Sequence, residues 1–351
     1  MNDAALDIPG CIPTRDASLR ERTTFRVPAH AARLIEVTRS DALPALFAHD
    51  ALVRDEVLVL GGGSNMLFTR DWSGTVVCMA TRGIEIVEHL VTDHGDAALV
   101  RCAAGENWNA FVHWSLTQGL CGLENLALIP GSVGAAPIQN IGAYGAEVRE
   151  FIETVEAFDR NSQRVVRLSN AQCAFAYRDS LFKREPGRYV IASVDFRLPR
   201  THALRLDYAG VREELTAMGV AMPDAPAVAR AIVRLRTRKL PDPAVVGNAG
   251  SFFKNPVITR AQADALRTSH ADLPQWPISD AYAKLSAAWL IESCNFKGLR
   301  EEDAGISSQH ALVLVNFGNA TGAQIWALAR RVQDTVFERF GVMLEPEPVV
   351  I

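Results

Sequence analysis

The chain has 351 residues, 48% of them hydrophobic and 22% charged, with a formal net charge of -4. That balance suits a soluble globular protein and gives no general attraction to nucleic acid or acidic membranes. At this length more than one domain is expected.

The six cysteines (Cys11, Cys78, Cys102, Cys121, Cys173, Cys294) are scattered. Without CxxC pairs or disulfide density they point to a reduced, cytoplasmic setting and to no metal site. The opening MNDAALDIPG lacks a basic segment followed by an apolar one, so residues 1–20 are expected to form a flexible polar leader rather than a targeting signal.

From Thr24 to about Ala80, ARLIEV and EVLVL look like buried strands, and SDALPALFAHD, opened by Ser40, looks like the helix between them. The chain then becomes strand-rich. GTVVCMA, IEIVEH, ALVRCAAG, IETVEAFD, VVRLS and YVIASVDFRL are short, β-branched and bounded by turn signals. One helix interrupts them from about Trp108 to Gln118, ended by Gly119.

Helical spacing dominates the remainder, in AVARAIVRLRTRK, KLSAAWLIESCN and GAQIWALARRVQDTVFERF. The last of these places Ile325, Leu328, Ala329, Val332 and Val336 on one core-facing stripe. Arg230, Arg234 and Arg238 recur every four residues, as a solvated face does. The expected class is α+β, with a two-part N-terminal half and a C-terminal α/β domain.

Several stretches carry more than packing. Gly61, Gly62, Gly63, Ser64, Asn65 and Met66 follow an apolar strand, where glycines let backbone amides approach a phosphate closely. A tight structural turn explains the motif equally well, and it is neither a dinucleotide fingerprint nor a Walker loop. The run IPGSVGAAPIQNIGAYGAE is nearly free of bulk over Gly131, Gly134, Ala135, Ala136 and Gly142. It suits a flat ligand or a pyrophosphate lying against backbone, or a loop packed tightly on another element.

YRDSLFK offers Arg178 as an anion receptor or a surface ion-pair partner. Lys239 closes a helix just before Pro241 and Pro243. In GNAGSFFKNP, Ser251 stands between glycine-flanked small residues and two phenylalanines. In LEPEPVVI, prolines stiffen the segment around Glu347, for catalysis or to blunt an edge strand.

Taken in order, TTFRV, GGGSNML, GLENLALIPGSVGAAPIQNIGAYGAE, YRDSLFK, TRKLPDP, GNAGSFFKNP, KLSAAWLIE and LEPE resemble the UDP-N-acetylenolpyruvoylglucosamine reductase family over nearly the whole chain. The resemblance implies an FAD-binding fold of the vanillyl-alcohol-oxidase (PCMH) type in two subdomains, residues 21–80 and 81–222. A substrate-binding α/β domain over 223–340 would follow, and a C-terminal strand over 341–351 would return to the first subdomain. LDYAGV around Tyr208 is similar to the extra tyrosine-bearing loop of one family type.

The same resemblance implies noncovalent FAD, since Gly61 to Met66 contains neither histidine nor cysteine. NADPH would be the reductant, sharing one site in turn with a UDP-sugar substrate. Cofactor contacts would come from Gly61 to Met66 and from Gly131, Ser132, Gly134, Ala135, Ala136, Ile138, Asn140, Gly142 and Tyr144. Ser251 matches the proton donor to substrate, its oxygen steadied by a neighbouring lysine. Arg178 and Glu347 match the pair that stabilises an enolate, the first gripping a carboxylate bidentately and the second giving a hydrogen bond in its protonated form. Tyr208, Lys239, Asn255 and His310 match positions that hold diphosphate and hydroxyl groups.

No nucleic acid or membrane partner is expected, and the protein is expected to be monomeric. Two other readings remain at this stage. One is a flavin oxidase of the same fold, which would have no use for Ser251, Arg178 and Glu347 together; the other is a UDP-sugar sensor without chemistry.

Overall fold

A computed structural model describes residues 6–92, 95–208 and 210–351, so residues 1–5 of the expected leader and Ala209 of the tyrosine loop lie outside the described residues. The chain forms two compact units: 1–17, 31–62 and 72–236 make the first, and 18–30, 63–71 and 237–351 the second. Helix and strand are mixed throughout, as the α+β expectation has it.

In the first unit, a four-stranded sheet runs in the order Cys11–Ser18, His30–Val37, Trp72–Met79, Val57–Leu60. The last three pair in parallel. Ser40 to Ala42 is a single 3-10 turn, and the α-helix of this connection starts only at Leu43. The expectation of a flexible leader does not hold over Cys11–Ser18, which is the edge strand of this sheet. Its alternation is hidden in the sequence because an edge strand exposes most of its side chains, and here only Ala17 is buried.

The second sheet of this unit is five-stranded and antiparallel, in the order Arg164–Ser169, Ile152–Asp159, Tyr189–Pro199, Gly95–Ala103, Ile84–Thr92. Against it lies the helix Trp108–Thr117, capped by Asn107 and ended at Gly119 with φ +68°. Trp108, Phe111 and Phe196 form its aromatic centre. The helix Ala225–Lys239 buries Val228, Ile232 and Leu235 in the same core. Residues 223–236 therefore belong with the first unit and not with a domain beginning at 223. The apolar stripe was legible in the sequence, but not which core it fills.

The second unit holds a four-stranded sheet (Gly247–Asn248, Leu314–Asn316, Ala304–Ile306, Arg300–Glu301) and a three-stranded one (Val257–Thr259, Tyr282–Leu285, Gln275–Pro277). Lys284 and Leu285, expected in a helix, end a strand. The helix Ala287–Ser293 begins only after Ser286, whose hydroxyl accepts from Trp289 N–H at 3.2 Å.

The long helix Gly322–Phe340 opens on a capping box between Thr321 and Gln324, closes on Gly341, and buries the whole predicted stripe from Ile325 to Val336. A Cβ on Gly322 would lie 1.7 Å from the Phe68 carbonyl oxygen, so glycine lets the helix start pass close to the segment 63–71. Val349–Val350 pairs in parallel with Met66–Leu67. That pairing, with Phe25 packed edge-on to Phe252 at 6.0 Å, explains why 18–30 and 63–71 join the C-terminal unit rather than the expected 21–80 subdomain.

Candidate active site

The two phenylalanines behind Ser251 are anchors. Phe252 and Phe253 are fully buried, and Phe252 packs on Phe25, Phe253 and Trp326. Burial of this kind contributes about 1.5–3 kcal/mol per side chain, ample to fix the position of the residue before them. On the other side Gly250 adopts φ +69°, its N–H held by Asn248 Oδ1 at 2.9 Å, and a Cβ there would meet open space. Ser251 is thus half-buried on a turn fixed from both ends, and among the described residues its hydroxyl has no hydrogen-bond partner.

Backbone pairing brings Glu347 to this turn across almost a hundred residues. Glu347 N–H donates to the Phe252 carbonyl at 2.8 Å and Lys254 N–H to the Glu345 carbonyl at 2.9 Å, with Phe253 and Pro346 bridged. Asn65 holds the same segment, donating its amide to the Glu347 carbonyl at 3.1 Å and accepting from Val349 N–H at 3.0 Å through its own carbonyl. Lys254, the cation nearest in sequence to Ser251, is turned to the Glu345 carboxylate, so the lysine expected to steady the serine is not this one. Asn255 Oδ1 accepts from Ala287 N–H at 3.0 Å, at the start of the helix Ala287–Ser293.

His310 lies two residues from Leu312, whose carbonyl accepts from Phe252 N–H at 2.7 Å. His310 Nδ1 accepts from Leu312 N–H at 3.2 Å, which leaves the proton of the neutral ring on Nε2, available to a ligand. Burial, and then the ammonium charges of Lys239 and Lys297, push this imidazole below its ordinary value of 6.5. The unfolded chain therefore takes up the proton first. The stability contributed is complete above about pH 6.5 and is lost as pH falls toward the depressed folded value. His310→Gln is expected to lose less stability than the parent between about pH 7.5 and about pH 5.5 in denaturant titrations; equal losses would show that the imidazole does not titrate in this way.

The glycine runs meet within the first unit. A Cβ on Gly62 would lie 2.6 Å from Gly131 Cα and 3.0 Å from Ser132 N, and one on Gly61 would lie 2.9 Å from Ser132 Oγ. The N–H groups of Val133, Gly134, Ala135 and Ala136 are all spent inside the protein, on Glu106, Ala104, Ser132 and Val133 carbonyls. Those of Gly62, Gly131 and Ser132 donate to no acceptor among the described residues. Unspent amides on two touching loops fit a pyrophosphate, so the phosphate-facing donors are fewer than the sequence suggested.

In the second unit Gly63 has φ +61° and accepts Thr24 N–H at 3.2 Å, beside the buried Thr23 and Thr24 hydroxyls, which have no hydrogen-bond partner among the described residues. Orphaned buried hydroxyls beside such a loop also fit a ligand rich in acceptors. These donors fit the acceptor-rich pyrophosphate of the FAD that the sequence resemblance implies.

Arg178 is positioned by the second glycine run. It adopts φ +55°, donates from Nη2 to the Gly142 carbonyl at 2.7 Å and lies over the Tyr177 ring. A Cβ on Gly142 would come within 3.0 Å of its Nη1. Ser180 donates to the Ile138 carbonyl at 2.5 Å, and Asn140 donates to the Ala176 carbonyl at 2.9 Å and to Glu147 Oε2 at 3.1 Å. Asn140 is fully buried and also accepts from Arg149 N–H, which gives it the work of fixing the loop. Asn140 and Tyr144 share the left-handed backbone of Arg178, a clustering of strain typical of functional loops. Tyr208 meets Tyr144 edge-on at 5.1 Å.

Sequence reasoning missed Arg236. It follows Ala229 and Ile232 on the buried side of its helix, while Arg230, Arg234 and Arg238 are exposed as expected. Its Nε donates to the Leu128 carbonyl at 3.2 Å. Burial pushes its pKa down, with the Tyr144 phenol opposing and the Arg178 guanidinium reinforcing. An arginine at apolar helical spacing was the available signal. Arg178 lies in the first unit, and Ser251, Glu347, Lys239, Asn255 and His310 in the second.

Residues 32–169 match an FAD binding domain family, and residues 242–351 match the C-terminal domain of UDP-N-acetylenolpyruvoylglucosamine reductase. A crystal structure of UDP-N-acetylenolpyruvylglucosamine reductase (MurB) from Thermus caldophilus shares the fold, with TM-score 0.65 and 23% identity over 97% of this chain and 98% of that one. The UDP-N-acetylenolpyruvoylglucosamine reductase of Xanthomonas oryzae pv. oryzae (strain PXO99A) is 55% identical over 95% of both chains. That of Xanthomonas euvesicatoria pv. vesicatoria (strain 85-10) is 56% identical over 339 residues, 96% of each chain. With this similarity running through both units, the chain belongs to the UDP-N-acetylenolpyruvoylglucosamine reductase family.

Proposed function

We propose that the protein reduces the enolpyruvyl ether of UDP-N-acetylglucosamine-enolpyruvate to UDP-N-acetylmuramate, with noncovalent FAD as cofactor, NADPH as reductant and the two substrates bound in turn. The observation that carries this reading is the pairing of Glu347 N–H with the Phe252 carbonyl, which brings the backbone of an acidic residue beside that of a serine whose hydroxyl is unspent, in a chain 56% identical to a reductase of that name. Bound FAD supplies the hydride chemistry that no side chain can.

The chain's own residues do the rest. Amides of Gly62, Gly131 and Ser132 hold the cofactor pyrophosphate, and Ser64, Asn65, Met66, Ile138 and Tyr144 its surroundings. Arg178 grips the substrate carboxylate, with Arg236 as a second cation, and Glu347 donates a hydrogen bond to the enolate that develops there. Ser251 then gives its proton to the α-carbon. A serine hydroxyl is so weak an acid that it serves only against a strongly basic carbon, which such an enolate provides. Lys239, His310, Asn255 and Tyr208 hold the diphosphate and hydroxyl groups.

The product would enter peptidoglycan precursor synthesis. Among the described residues no helix is long and apolar enough to cross a membrane, and the free cysteines accord with a cytoplasmic enzyme; we read it as a monomer.

The test is an anaerobic visible spectrum of the yellow protein, followed by NADPH and then the enolpyruvyl sugar. Bleaching by NADPH and return of colour with the sugar is the expected result. Recovery only with oxygen would replace this reading by an oxidase. Glu347→Gln is expected to slow the return of colour less than loss of Ser251 does, and to leave bleaching intact; unchanged turnover would make the carboxylate structural.

A further inference from the structure

The first unit contains a cavity of about 660 Å³ that the reductase chemistry does not use. Phe47, Leu52, Val53 and Val57 line one side, Arg160 and Arg188 another. It opens at the start of the strand Val57–Leu60. The Gly61 loop follows the end of that strand, roughly 13 Å away at about 3.3 Å per residue.

The charges lining the cavity, Arg160 and Arg188 against Asp55 and Glu185, balance in number but are unevenly paired. Arg188 is gripped by Asp159 through two bonds of 3.0 Å and by Glu185 at 2.5 Å. Asp55 accepts from the Thr75 hydroxyl at 2.5 Å and faces Arg33 at 3.9 Å. Arg160 has no such neutraliser. One N–H donates to the Gly187 carbonyl at 2.8 Å and the guanidinium lies 4.9 Å over the Phe47 ring, but among the described residues no carboxylate is within 4.0 Å of it. Burial also pushes its pKa down, so the group loses water without gaining an anion.

The lining chooses the ligand. Asp55 and Glu185 would repel a dianion such as phosphate, whereas one spare guanidinium matches one negative charge. The accessible aliphatic side chains of Val53 and Val57 favour an anion with an apolar body. We propose that this cavity is a second binding site, for a small organic carboxylate whose anion lies on Arg160 and whose apolar body lies on Val53 and Val57.

Benzoate is a suitable probe, with benzyl alcohol as its neutral counterpart and inorganic phosphate as the competing anion, each titrated into the full-length holoenzyme by calorimetry. Benzoate is expected to bind at least about tenfold more tightly than benzyl alcohol, as one charge-assisted contact of about 1.5–3 kcal/mol implies. Arg160→Gln is expected to remove that preference with turnover unchanged. Val53 is 65% exposed, so Val53→Asp keeps the fold and sets a like charge on the rim; it should weaken benzoate similarly. Benzoate affinity that is undetectable, equal in parent and both variants, or matched by phosphate would overturn the proposal.

Discussion

Ser251→Ala is expected to leave bleaching by NADPH unchanged while slowing the return of flavin colour with the enolpyruvyl sugar by about 10³-fold or more. General acid catalysis contributes about 10²–10⁴-fold, and a factor of 10³ corresponds to about 4 kcal/mol of lost transition-state stabilisation. Little of that loss could come from misfolding. The side chain is half-buried and its hydroxyl holds no other residue among those described, while Phe252, Phe253 and the Asn248–Gly250 bond fix the turn without it. Rapid-mixing absorbance resolves the two half-reactions. Equal slowing of both would remove Ser251 from proton donation and make it a determinant of flavin environment.

How far the sequence could lead differed between elements for physical reasons. The stripe from Ile325 to Val336 was legible because an amphipathic helix writes its burial at a fixed period. Cys11–Ser18 was not, because an edge strand with mostly exposed side chains has the composition of a loop.

For the site, motifs named Ser251 and Glu347, but only the pairing of Phe252 to Lys254 with Glu345 to Glu347 shows how residues so distant in sequence become neighbours. Arg236 was lost among arginines at four-residue spacing because side-chain chemistry does not reveal which face of a helix is buried until the apolar positions are counted. Asn140 was read as a cofactor ligand, whereas its side-chain bonds go to Ala176, Glu147 and Arg149. A buried amide on a glycine-rich loop looks the same in sequence whether it faces ligand or backbone.

The glycine runs give the second large effect. Gly62→Ala is expected to yield protein with little or no bound flavin and a folded state about 1–3 kcal/mol less stable, the usual range for overpacking. The added Cβ would stand 2.6 Å from Gly131 Cα, 2.9 Å from the Gly131 carbonyl carbon and 3.0 Å from Ser132 N. All three are backbone atoms, which cannot rotate away as a side chain could. One loop must move, and with it the unspent N–H groups of Gly62, Gly131 and Ser132 lose the arrangement that suits a pyrophosphate. Flavin absorbance per mole of protein, together with thermal unfolding of the flavin-free form, separates the two consequences. Gly145→Ala is the matched control, because a Cβ there meets nothing within 4 Å; its φ of +81° adds only local backbone strain. Full flavin content in Gly62→Ala would show that the contact between these loops is not what holds the cofactor. Flavin loss in Gly62→Ala but not in Gly145→Ala would assign cofactor retention to the close approach of the two loops rather than to glycine flexibility in general.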